Sequence, residues 1–171
     1  MQTSVEKCYG KYRGTVINNV DPMGKGRLLV QVPDVLGIGI SSWAMPCVPV
    51  AGLQTGAYLV PLVNAGVWVE FERGDPDYPI WVGAFWGSRA ELPATANLAT
   101  PGVPVMILES PLKSAFVLSD TPIPPMIAGG LMLRSGASSI VVGPDGVTIT
   151  APKIQINGLT IINNGALTVT L

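Results

Sequence analysis

The acidic side chains best placed to do chemistry together lie in one stretch, VWVEFERGDPDYPIWVGAFWG (67–87), which carries Glu70, Glu72, Asp75 and Asp77. Paired carboxylates can hydrolyse glycosides, one protonating the leaving group while the other activates water or attacks. The spacing speaks against that use. Glu70 and Glu72 alternate with Val69 and Phe71, the period-2 pattern of a half-buried strand, so they belong on its outer face. Asp75 and Asp77 suit the turn that follows, where Asp bonds its own backbone. The chain has no His. That removes the commonest general base, the Ser-His triads and most zinc chemistry. Cys8 and Cys47 match neither a disulfide framework nor a metal-ligand spacing and read as reduced structural thiols. No catalytic residue, cofactor or metal ligand is expected.

The remaining candidates are basic or aromatic. Gly24-Lys25-Gly26 could be taken for a phosphate cradle, but it lacks the P-loop spacing and a following helix, and a hairpin loop is the better reading. Lys25, Arg27 and Arg73 could meet an acidic partner, although exposed hairpin charges are the ordinary case. Three of the four Trp, Trp68, Trp81 and Trp86, lie in the 67–87 stretch. They could stack bases or sugars, as single-strand-binding barrels do. The net charge of −1 offers no basic footprint for nucleic acid, so packing in the core or against a partner is favoured.

These residues need strands to hold them. Residues 67–72 and 80–86 alternate with period 2 around a turn dense in Gly, Asp and Pro, which is a strong hairpin signal. Upstream, residues 10–20 and 27–33 read as two strands around an Asp21–Gly26 turn. Residues 43–48 and 57–61 read as short further strands. Five or six short strands with turn chemistry between them suit a small antiparallel barrel of the oligonucleotide/oligosaccharide-binding (OB) type. No charge falls between Asp34 and Glu70. Pro46, Pro49 and Pro61 interrupt this stretch, so it reads as buried strands rather than a membrane span. The N-terminus has no apolar core and does not read as a signal peptide.

Residues 89–102, rich in Ala, Thr and Pro, read as a linker. Beyond it strands recur at 104–109, 115–119, 131–134, 139–142, 147–150, 153–157, 159–162 and 167–171. Val147, Ile149, Ile154, Ile156, Leu159 and Ile161 form an aliphatic set, continued by Leu167, Val169 and Leu171, while Thr, Asn, Gln and Lys occupy most alternate positions. Strands of this kind cannot bury their apolar face alone. Charged residues make up 12% of the 171-residue chain, about half the usual share. A monomer so poor in charge would be poorly soluble, so an obligate oligomer is expected.

The motifs GTVINNVDPMGKGRLLVQVP (14–33), SWAMPCVPVAG (42–52) and GVWVEFERGDPDYPIWVGAFWG (66–87) resemble the barrel of phage baseplate assembly protein V, the central spike of contractile tails, and that of type VI secretion spikes. VMILESPLKSAFVLSDTP (105–122) and GLMLRSGASSIVVGPDGVTITAPKIQING (130–158) are similar to the same family's C-terminal triple-stranded β-helix. The resemblance implies an all-β chain with an N-terminal OB-fold barrel at 1–88, the linker at 89–102 and an intertwined trimeric β-helix needle at 103–171. It implies a homotrimer with Val147, Ile149, Ile154, Ile156, Leu159 and Ile161 around its axis and Leu167, Val169 and Leu171 at its tip. It further implies a separate trimeric baseplate hub protein, transient contact with a target cell envelope, and a place in a virion tail or equivalent particle assembled in the host cytoplasm. Some relatives carry a lysozyme domain between barrel and needle, where only a short segment stands here. Others close the tip with His-bound iron, which a chain without His cannot do, so a small tip-capping protein is expected. A ligand-binding OB module for single-stranded nucleic acid or glycan is the alternative.

Overall fold

The computed structural model describes residues 6–158. The chain divides into two compact units, Met1–Glu91 and Leu92–Leu171.

The first unit is a five-stranded barrel. Strands β1 (Tyr12–Asn18), β2 (Leu29–Gln31), β3 (Met45–Pro46), β6 (Gly66–Phe71) and β7 (Pro79–Phe85) form a sheet in the order β2-β1-β6-β7-β3. The two edges then meet: Leu28 and Ala44, one residue before β2 and β3, exchange both backbone hydrogen bonds, at 3.1 and 2.8 Å. Closure leaves no open edge and encloses Val16, Leu28, Val30, Val32, Ala44, Val67, Val69, Phe71 and Trp81. Trp81 spans this core and donates its indole N–H to the Gly26 carbonyl at 3.0 Å. Gly14 on β1 makes the tight curvature possible, because a Cβ there would stand 2.9 Å from Val69 Cγ2.

Several sequence expectations change in detail. The barrel is not wholly antiparallel, since β3 runs parallel to β7. Residues 32–44 carry the chain across to reach that position. They include one helical turn, α1 (Pro33–Leu36), where strand was expected up to Pro33. Proline at the first helical position has its φ already set and no N–H to lose. The turn ends at Gly37, whose φ of 59° suits glycine. Residues 57–61 form no strand; a small hairpin of β4 (Ala51–Gly52) and β5 (Thr55–Gly56) lies just before them. The simple alternation of 80–86 also fails. Trp68 faces Gly83 and Val69 faces Trp81, so Val82 is a bulged residue. The bulge turns Phe85 to the opposite face from Trp81.

In the second unit, β8 (Val105–Glu109), β9 (Ala115–Ser119), β10 (Gly130–Ser135), β11 (Ser138–Gly143) and β12 (Gly146–Thr150) form an antiparallel meander in chain order. The loop between β9 and β10 folds back over one face. Ile123 and Met126 from that loop are buried with Ala115, Val117 and Met132. The strand expected at 153–157 is absent: after Thr150 the chain leaves the ladder at Pro152, which has no N–H to donate. The residues read as linker contain two 3-10 turns, Arg89–Glu91 and Ala94–Leu98, and the Thr95 side chain is buried.

Candidate functional site

The four carboxylates do not gather in one cleft: Glu72 lines one with Asp75 and another with Asp77, and Glu70 lines neither. Glu70 sits mid-strand on β6 and pairs with Lys11. Asp75 lies 3.9 Å from Lys7 and accepts the Asp77 N–H at 3.1 Å, the local turn bond its position suggests. Glu72 and Asp77 are exposed.

The Gly24-Lys25-Gly26 loop does gather backbone N–H groups around an anion, but the anion is the chain's own. Asp21 accepts from Met23 N–H (2.9 Å), Lys25 N–H (2.8 Å), Arg27 N–H (3.2 Å) and the Arg27 guanidinium (2.6 and 3.0 Å). Those bonds, that from the guanidinium first, hold its carboxyl far below the ordinary range. Arg27 is fixed in turn over the Trp43 ring at 5.4 Å. With the nest filled from within, a phosphate has no place in it.

The three Trp form no shared stacking platform. Trp81 is in the core and Trp86 is exposed. Trp68 lies on the outer face with Phe85, ring centroids 5.0 Å apart, and the Arg13 guanidinium covers both rings at 5.6 and 5.4 Å. Cys8 and Cys47 are free thiols.

The distinctive surface is on the second unit. Register places Met106 and Leu108 beside Leu118 and Phe116, then Leu131 and Leu133, then Val142 and Ile140, then Val147 and Ile149. Two large apolar side chains per strand therefore share one face across the whole meander. Opposite that face lies the layer already covered by Ile123 and Met126. The uncovered face stays largely in water: Val147 is 63% and Ile149 53% exposed. Ile154, beyond β12, lines one groove with Phe116, Leu133, Ile140 and Ile149, and Ile156 is exposed as well. Leu159, Ile161, Leu167, Val169 and Leu171 lie outside the described residues.

A second feature of this unit escaped the sequence reading. Glu109, its side chain 2% exposed, accepts N–H bonds from Ala94 (3.2 Å) and Thr95 (3.1 Å). It lies 3.4 Å from Lys113 and 3.7 Å from Arg134, which donates to Thr95 Oγ1 at 2.7 Å. Burial pushes the Glu109 carboxyl up, yet the bonds from Thr95 and Lys113 outweigh it, and the group lies below its ordinary value. No local pattern marks this clasp, because it joins residues far apart in sequence.

Residues 12–86 match the type VI secretion system/phage-baseplate injector OB domain, and residues 104–168 match the phage baseplate V C-terminal trimerisation domain. The chain belongs to the phage baseplate V spike family. Membership makes it a structural component of a tail or baseplate particle, and the trimerisation domain supports a homotrimer. The first matched region coincides with the barrel, and the second includes the meander that carries the open apolar face. No curated protein matches the chain. No helix among the described residues is long and apolar enough to cross a membrane.

Proposed function

We propose that the chain is the central spike of a contractile injection baseplate: a trimeric needle that a sheath drives against a target envelope. The observation that carries this reading is the apolar face running through all five strands of the C-terminal meander. A soluble monomer rarely leaves so large an apolar surface in water. Three copies packing these faces around one axis would bury it, with Val147, Ile149, Ile154 and Ile156 near the axis and Leu159 and Ile161 continuing the set. Each fully buried Ile, Leu or Val contributes up to about 1.5–3 kcal/mol. A shaft in which every strand pairs with its neighbours shares load over many hydrogen bonds, so stiffness rather than reaction would do the work.

In this reading residues 1–88 form the hub-binding collar on a separate trimeric hub, 89–102 join it to the needle, and 103–171 form the needle. Leu167, Val169 and Leu171 would form a blunt tip that receives a small capping protein. No catalysis and no nucleic-acid binding are assigned. Glu70 and Asp75 have cation partners, and Lys7 and Arg73 line the cleft that Glu72 shares with Asp75. Deleting the gene and imaging the particles tests the role. Particles should lose the axial density below the hub and their ability to breach cells, and the gene in trans should restore both. Intact axial density in the deletion would sink the proposal. Purified protein should fail to clear peptidoglycan. Clearing that survives alanine at Glu70, Glu72, Asp75 and Asp77 would reveal an enzymatic activity located elsewhere.

A further inference from the structure

The barrel has an apolar surface of its own that its core does not require. Residues 48–63 hold no charge, and Val50, Leu53, Tyr58, Leu59, Leu62 and Val63 are exposed. The barrel closes without them, because β4 and β5 pair only with each other. The segment is nevertheless fastened down. Asn19 donates to the Pro61 carbonyl at 2.9 Å, and Val60 packs against the barrel core. At the hairpin tip Leu53 is 94% exposed, followed by Gln54 in the left-handed region at φ 53°. Beside the hairpin lies a groove of about 480 Å³ lined by Met45, Val50, Tyr58, Val60 and Trp81 among others. Leu53 does not line it.

One unit thus carries both a projecting apolar knob and an apolar groove. That is the makeup of a heterologous contact, in which one patch of each copy meets a different patch of the next. Such contacts close into a ring when the rotation between copies is fixed. The trimerisation domain supplies a threefold arrangement. It also tethers three barrels at effective concentrations on the order of millimolar, where a modest apolar contact is occupied. Lys25 is the single charged residue that lines the groove, and the rest of its lining is uncharged, as the entry of an apolar side chain requires. We propose that residues 48–63 of each barrel pack against the barrel of the neighbouring copy, with Leu53 entering that copy's groove. The proposal rests on the trimer reading above.

The test uses the full chain with Cys8→Ser and Cys47→Ser and a single Leu53→Cys. Its mass is checked first by light scattering. In the isolated trimer, maleimide labelling at position 53 should be at least tenfold slower than in the denatured chain. Leu53 is exposed among the described residues of one chain, and the cross-link to position 58 of another chain identifies what protects it. In trimers mixed from Leu53→Cys chains and Tyr58→Cys chains, a short bis-maleimide should give covalent dimers that span the two positions. Fast labelling of an intact trimer overturns the barrel contact and leaves the trimer reading standing. Fast labelling alone with protection inside the assembled particle also overturns it, and assigns the surface to another baseplate protein. A monomeric mass for the unmodified chain removes the trimer reading and this inference together.

Discussion

Glu109 and Gly14 show how single residues hold each unit. Glu109 is a buried carboxylate whose folded-state pKa is lowered from 4.5. Its contribution is therefore present above about pH 4.5 and is lost as pH falls through the lowered value. The Glu109→Gln variant should lose about 1.5–3 kcal/mol at neutral pH, the range for hydrogen bonds to a charged group. It should also show a flatter acid limb when unfolding is followed from pH 6 to 3. An unchanged acid limb would mean that the clasp contributes nothing. Gly14 has no room for a side chain against Val69 and the Gln31 carbonyl. Gly14→Val should destabilise the barrel by about 1–3 kcal/mol through overpacking, as read by urea unfolding. Little of this was legible in the sequence. The outward placement of Glu70 and the turn role of Asp75 followed from alternation and turn chemistry. The filling of the loop by Asp21 did not, because it depends on Arg27 folding back across the turn. The Glu109 clasp did not either, since it joins side chains up to 39 residues apart.

At the scale of elements, period-2 alternation located β6, β7 and β9 to within a residue, because strongly patterned strands declare themselves. It missed the bulge at Val82, where one unpaired residue reverses the faces of all that follow. It missed the parallel pairing of β3 with β7, since a two-residue strand carries no directional pattern. It over-read 153–157, where alternation continues but Pro152 breaks the ladder. The two faces of the meander respond differently to the same substitution. Val117→Asp places a charge under Ile123 and Met126 and should unfold the second unit, with loss of its β signal in circular dichroism. Ile140→Asp alters only the exposed face. It should leave that β signal intact while shifting the chain to monomer in sedimentation, and Ile154→Asp should do the same. A trimer that tolerates Ile140→Asp would place the seam elsewhere.

For the whole molecule, scarcity of charge and abundance of apolar surface are one fact seen twice. The barrel closes on its own core, and the meander covers one face with its own loop. Each unit still exposes large apolar side chains among the described residues, and the low charge fraction is what an obligate assembly permits. The family follows from the barrel and meander motifs together, while the tip residues rest on pattern alone. The central claim is that three copies bury the meander face, and the mass of the intact chain tests it most directly. Light scattering coupled to size exclusion at micromolar concentration should give three chain masses, unchanged on tenfold dilution. A stable, soluble monomer under those conditions would contradict the claim.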